Sequence, residues 1–227
     1  MDISLYYVEQ GSGEPLVLLH GNDDSHAYFT AQIPAFAKRY HVYAVDTRGH
    51  GSSPRGEKPF SLDTFADDLR DFFDEHGLAR AHVLGFSDGG NIALLFALKY
   101  PDRVDKLILD GANLDPDGVE RSAQIAITLG YRAASLAAKV DPKAKRKVEM
   151  LGLMVNEPHI DPASLASITA KTLVMAGTRD LIREEHTRLI ASSIPHARLA
   201  FLEGDHFIAA ASPDEFNRTV LDFLAES

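Results

Sequence analysis

Six short apolar runs recur along the chain with amphipathic segments between them, and they limit the possible fold more than any other feature. They are "PLVLLHG" (Pro15–Gly21), "HVYAVD" (His41–Asp46), "AHVLGF" (Ala81–Phe86), "KLILDG" (Lys106–Gly111), "TLVMAG" (Thr172–Gly177) and "ARLAFLEG" (Ala197–Gly204). A strand with one wet face alternates apolar and polar residues. These runs are apolar almost throughout, the pattern of strands buried on both faces. Such strands belong to a parallel sheet, whose crossover connections lay helices over both sides. The intervening segments have helical character. Between Ser61 and Gly77, Leu62, Phe65, Leu69, Phe72 and Phe73 form one apolar stripe, with Ser61 placed to cap its start and Gly77 its end. Asn91 to Tyr100 reads as a helix that stops before Pro101. "SPDE" (Ser212–Glu215) combines an N-cap serine, a proline at the first helical position and a glutamate spaced for a capping box. "ISLYYVEQ" near the start adds an edge strand that turns through Gly11 and Gly13. The expected fold is α/β: a mostly parallel open sheet with helices on both faces.

The rhythm breaks once. Residues 113–170 are rich in Ala, Lys and Leu and carry helical segments, and they are far longer than a simple crossover requires. They are expected to form a small helical cap over one end of the sheet. Residues 1–112 and 171–227 then make up one core domain, a size that 227 residues suit.

Composition removes several classes of function. The chain has no cysteine, which excludes disulfides, thiolate metal sites and a cysteine nucleophile. A net charge of −10 argues against nucleic acid or an anionic membrane surface as the main partner. No ligand cluster suggests a metal. The amino end lacks the basic start and apolar core of a signal peptide, and no apolar run is long enough to span a bilayer. A soluble cytoplasmic protein is the expectation.

"GFSDGG" (Gly85–Gly90) follows the third run and precedes a helix. Gly-x-Ser-x-Gly between strand and helix forms a nucleophile elbow: the serine sits on a strained turn, and glycine-sized neighbours let strand and helix approach closely. A serine hydroxyl needs a neighbouring base to take its proton, and a histidine base works best when a carboxylate fixes its tautomer. Of ten histidines, His206 alone follows the last strand, beside the sheet edge where Ser87 should sit.

"LLHGND" (Leu18–Asp23), "DTRGHGSS" (Asp46–Ser53), "GFSDGG", "GTRD" (Gly177–Asp180) and "EGDHF" (Glu203–Phe207) occur in the order of the α/β-hydrolase family, and the chain resembles that family over almost all its length. The resemblance implies the α/β-hydrolase fold, Ser87 as nucleophile, His206 as base, His20 as a structural residue of the His-Gly loop, and no cofactor. Asp180 fits the chain order Ser, Asp, His. Asp110, at the end of the preceding strand, is the alternative acid, and Asp205 would need a contorted backbone to hold the neighbouring ring. The expected oxyanion donors are the backbone amides of Asp88 and Asn22.

"GFSDGGNIALLFALKYP", "LILDGAN" and "PDEFNRTVLDFL" are similar to the branch that contains valacyclovir hydrolase, which cleaves amino-acid esters. There the aspartate after the nucleophile binds the substrate's α-amino group, which implies a substrate-binding role for Asp88. A plainer reading places the Asp88 carboxylate at a helix start, where dipole and free amides favour it. The expected function is hydrolysis of small carboxylic esters through a Ser-His-Asp triad and an acyl-enzyme, with aminoacyl esters as the finer expectation. A C–C bond hydrolase with the same triad and a ligand-binding relative that keeps the fold are the alternatives. Epoxide hydrolase and dehalogenase chemistry is disfavoured, because such relatives carry aspartate at the elbow. The oligomeric state is not legible.

Overall fold

A computed structural model describes residues 2–226. Seven strands form one sheet: β1 (Tyr7–Gly11), β2 (Glu14–Leu19), β3 (Tyr40–Val45), β4 (Ala81–Phe86), β5 (Val104–Asp110), β6 (Lys171–Gly177) and β7 (Ala197–Leu202), in the order β1-β3-β2-β4-β5-β6-β7. β1 runs antiparallel to β3 and every other pairing is parallel. The helices are α1 (Gln32–Phe36), α2 (Leu62–Glu75), α3 (Asp88–Lys99), α4 (Arg121–Ala137), α5 (Ala144–Asn156), α6 (Glu184–Ser193), α7 (Ile208–Ala211) and α8 (Pro213–Ala225).

Although the strands are apolar throughout, the pleat sorts their side chains into two cores. Val17, Leu19, Val83, Leu107 and Leu109 pack with Phe65, Leu69, Phe72 and Phe73 of α2 and with Ile92 and Phe96 of α3. Leu16, Leu18, Leu84 and Ile108 pack on the other side with Phe36 of α1 and Phe216, Val220 and Phe223 of α8. β4 is buried at all six positions, as the centre of a doubly covered sheet must be. β7 departs from the expected pattern. It is the last strand in the sheet order, no strand among the described residues pairs with its outer edge, and most of its residues are only half-buried.

Three local expectations also shift. The amino-terminal strand begins at Tyr7 rather than Ile3. Ile3 and Leu5 are buried in the first core, but β3 ends at Val45, so the preceding backbone bonds to a loop instead, with Tyr6 N on Ser53 Oγ at 2.8 Å. α3 starts at Asp88, three residues before Asn91, directly behind the serine turn. Ser61 caps α2 as expected, accepting from Thr64 N. Ser212 occupies the N-cap position of α8, but its hydroxyl makes no capping bond, and the same residue closes α7 with its own amide on Ile208 O.

Between β5 and β6 the chain forms α4 and α5, which pack against one another. Among the described residues no helix is long and apolar enough to cross a membrane.

Candidate active site

The turn at Ser87 is one of two places among the described residues where a non-glycine residue has positive φ, the other being Asp23. Ser87 has φ +53 and ψ −120, a conformation that a side-chain-bearing residue adopts only under strain. It persists because β4 and α3 meet there without room for side chains. A Cβ on Gly85 would lie 2.1 Å from Gly89 O, and one on Gly89 would lie 2.1 Å from Leu19 O. The Ser87 amide is held by Asp110 O at 2.8 Å, while Ser87 O accepts from Gly90 and Asn91 at the head of α3. The hydroxyl is thereby presented at the carboxyl end of the sheet.

His206, 5% exposed, stands beside it on the loop after β7. Its Nε2 lies 3.0 Å from Ser87 Oγ and its Nδ1 2.7 Å from Asp180 Oδ1. An ionised carboxylate only accepts, so Nδ1 carries the proton and the Nε2 lone pair faces the serine hydroxyl. Burial pushes the Asp180 carboxyl up, but the bond and charge of His206 and the amides of Ile182 and Gly177 outweigh it and hold the group below its ordinary value. The other two candidate acids are placed elsewhere. Asp205 turns to accept Phe207 N at 2.9 Å. Asp110 is fully buried with neither carboxyl oxygen bonded among the described residues, and burial, with the nearby Asp180 charge, pushes it well up. A carboxyl so placed is poorly suited to stabilise an imidazolium.

Ser87 and His206 open onto a cavity of about 270 Å³. Its walls are largely apolar: Phe86, Leu181 and Phe207 from the sheet side, and Met150, Leu151 and Met154 from α5. The α5 residues were not singled out from the sequence, although two methionines four apart with a leucine between them mark one helical face. Asn22 lines the cavity as well. Asp88 does not line it: its carboxyl lies behind Asn22, accepting Asn22 Nδ2 at 2.7 Å and Asn91 Nδ2 at 3.3 Å. Burial raises this carboxyl, opposed by Asn22, His206 and Asn91.

The neighbouring histidines serve the framework. His20 Nδ1 donates to Gly21 O at 2.7 Å and its Nε2 accepts from Thr47 N at 3.1 Å, which requires the neutral ring. His50, 2% exposed, bonds through Nδ1 near Arg48 O and Thr47 Oγ1, and burial lowers it to about 4, with His20 adding to the effect. The unfolded chain therefore takes up this proton first, near the ordinary value of about 6.5. Stability should fall as pH falls from about 6.5 towards 4, by up to about 3 kcal/mol for this group alone. In urea unfolding at pH 7 and pH 4.5, His50→Phe should lose about 2 kcal/mol less than the parent over that interval.

Known proteins resemble this arrangement in sequence and in shape. The sequence profile described as alpha/beta hydrolase fold matches residues 14–134, more than half of the chain. RutD of Azorhizobium caulinodans, which carries a carbamate-hydrolase name, is 29% identical over 255 residues, covering 99% of this chain and 96% of RutD. The serine hydrolase BPHL of Mus musculus is 29% identical over 253 residues, covering 98% and 83%. The crystal structure of a hydrolase from Pseudomonas aeruginosa superposes with a TM-score of 0.80 at 28% identity, covering 99% of this chain and 95% of that one. A strained serine turn at the head of a central parallel sheet, a seven-strand order with one antiparallel edge and this profile match together place the chain in the α/β-hydrolase family.

Proposed function

We propose that this protein is a serine hydrolase that cleaves small carboxylic esters through an acyl-enzyme. The observation that carries the reading is the unbroken hydrogen-bonded chain from Ser87 Oγ through His206 to Asp180 at the wall of an apolar cavity. Ser87 Oγ attacks the ester carbonyl as its proton passes to His206 Nε2, and Asp180 stabilises the resulting imidazolium and holds its orientation. The amides of Asp88 and Asn22 receive the oxyanion, each donor being worth about 3 kcal/mol in the transition state. His206 returns the proton to the departing alcohol. A water molecule then repeats the sequence to release the acid. Residues 113–170 act as a cap, with Met150, Leu151 and Met154 holding the acyl or alcohol group by apolar contact. A preference for aminoacyl esters requires more: the Asp88 carboxylate would have to exchange the Asn22 amide for the substrate's ammonium.

The test combines a fluorophosphonate probe with a panel of p-nitrophenyl esters of increasing acyl length, a carbamate and a C–C cleavage substrate. The parent chain should be labelled and should turn over the short esters fastest. A folded protein that takes no label and hydrolyses none of them overturns the proposal in favour of a binding role. Faster turnover of the carbamate or the C–C substrate would reassign the reaction while keeping the triad.

A further inference from the structure

The proton relay makes no use of one buried carboxyl beside the nucleophile, that of Asp88, which sits at the centre of a network of side-chain amides. Asn22 Nδ2 reaches Asp88 Oδ2 at 2.7 Å and also Met150 O, on α5, at 2.9 Å, so both of its N–H groups are engaged. Asn91 Nδ2 reaches Asp88 Oδ1 at 3.3 Å and Asn113 Oδ1 at 3.0 Å, and Asn91 Oδ1 accepts Asn113 N at 2.9 Å. Asn113 Nδ2 goes on to Asp115 O at 2.9 Å. One carboxyl thus links the loop after β2, the first turn of α3, the chain leaving β5 and the middle of α5.

We infer that Asp88 is a positioning residue for the ester hydrolysis proposed above: it holds the Asn22 side chain, and with it the backbone of the oxyanion loop, in register with Ser87 and with α5. The inference rests on that proposed function. The residue type follows from the geometry. Both groups that face Asp88 are N–H donors, and only a carboxylate accepts at both oxygens. An asparagine at 88 would turn its own N–H2 towards one of them, and an aliphatic residue would leave both unpaired in a buried place. The same arrangement explains why the carboxyl sits behind the cavity wall rather than in it. It also joins the site to residues 113–170 at two points, Met150 and Asn113, so the place of α5 and the place of the oxyanion donor are set together.

The experiment compares the parent, Asn22→Ala, Asp88→Asn and the double variant in p-nitrophenyl acetate hydrolysis, with rates expressed per site titrated by the fluorophosphonate, so that unfolded molecules are not counted. Misplacing one oxyanion donor should lower kcat about 10- to 100-fold in each single variant while KM changes little. The double variant should be no slower than the slower single one, because both substitutions break one link. The ratio of rates on an aminoacyl ester and its N-acetylated twin should be the same for the parent and Asp88→Asn. Unchanged kcat in Asn22→Ala, or losses that multiply in the double variant, would overturn the inference. So would a rate ratio that changes in Asp88→Asn alone, which would assign the carboxyl to a substrate ammonium. A parent chain that takes no label would remove the hydrolase reading itself and this role with it, a result distinct from all of these.

Discussion

Replacing Ser87 with alanine should lower kcat for ester hydrolysis about 10⁶-fold and abolish fluorophosphonate labelling, with no loss of folded protein. In the proposed mechanism the effect is large because Ser87 and His206 would act as one unit: the ring has no proton to take without the hydroxyl 3.0 Å from its Nε2, and the hydroxyl is inert without the ring. His206→Ala should therefore be about as damaging, and the double variant no worse than either. Asp180→Asn should cost about 10⁴-fold, since an amide no longer dictates that the proton sits on Nδ1. Steady-state hydrolysis of p-nitrophenyl acetate by the parent and these variants checks the pattern. Independent, multiplying losses, or residual turnover in Ser87→Ala above about one part in 10³ of the parent's, would place the chemistry elsewhere. The substitution should leave stability unchanged or raise it slightly, because the hydroxyl is not among the contacts that hold the strained turn; the amide and carbonyl are.

Arg48→Met should produce the largest loss of stability, about 3–5 kcal/mol, with kcat per titrated site unchanged. Arg48 is fully buried and its guanidinium is saturated by acceptors. Nε and Nη2 fork onto Asp68 of α2, each at 2.6 Å. Nη2 and Nη1 reach Asp2 at 2.7 and 3.0 Å, and Nη1 also reaches Arg55 O at 3.0 Å. Arg48 beside Asp2 holds that carboxyl well below its ordinary value. Asp68 is itself buried, so removing the cation strands a negative charge away from water, the costly half of breaking a buried pair. Lysine would not substitute, because one ammonium cannot span two carboxylates and a carbonyl in a planar fork. The urea midpoint should fall by roughly 1–2 M without a change in slope. A shift under about 0.3 M would mean that the ion pair and a well-packed apolar side chain are equivalent here.

Arg48 also explains part of the resemblance that the triad does not. It belongs to "DTRGHGSS", and the rest of that stretch is similarly occupied with holding chain together. Asp46 Oδ1 accepts His26 N at 2.6 Å and lies 2.8 Å from the His26 ring, and Asp46 Oδ2 accepts Ser52 N at 2.8 Å. These contacts fix the loop after β3 against the segment that follows the Asn22 loop. A motif read as a family signature thus has a structural reason of its own.

Much of this molecule was legible in the linear chain because the information is local. An apolar run of six residues reads as a doubly covered strand, as β4 is, and the glycines flanking Ser87 declare a close approach of strand and helix before either has a partner. The order of the motifs also narrowed the histidine to His206. Other features were decided only when distant segments met. Asp180, Asp110 and Asp205 each follow or end a strand near the same sheet edge, and the contact of one of them with His206 Nδ1 depends on side-chain positions to within an ångström. β1 lies next to β2 in sequence yet pairs with β3, because β2 is already flanked on both sides, and β7 is the last strand in the sheet order and only half-buried. The Asp88 carboxyl is the sharpest case. From the sequence it has two readings, a receiver of a substrate ammonium and a carboxylate at a helix start. In the folded chain two amides, one brought from 66 residues away, reach it first, because a buried carboxylate takes the nearest donors that folding brings to it.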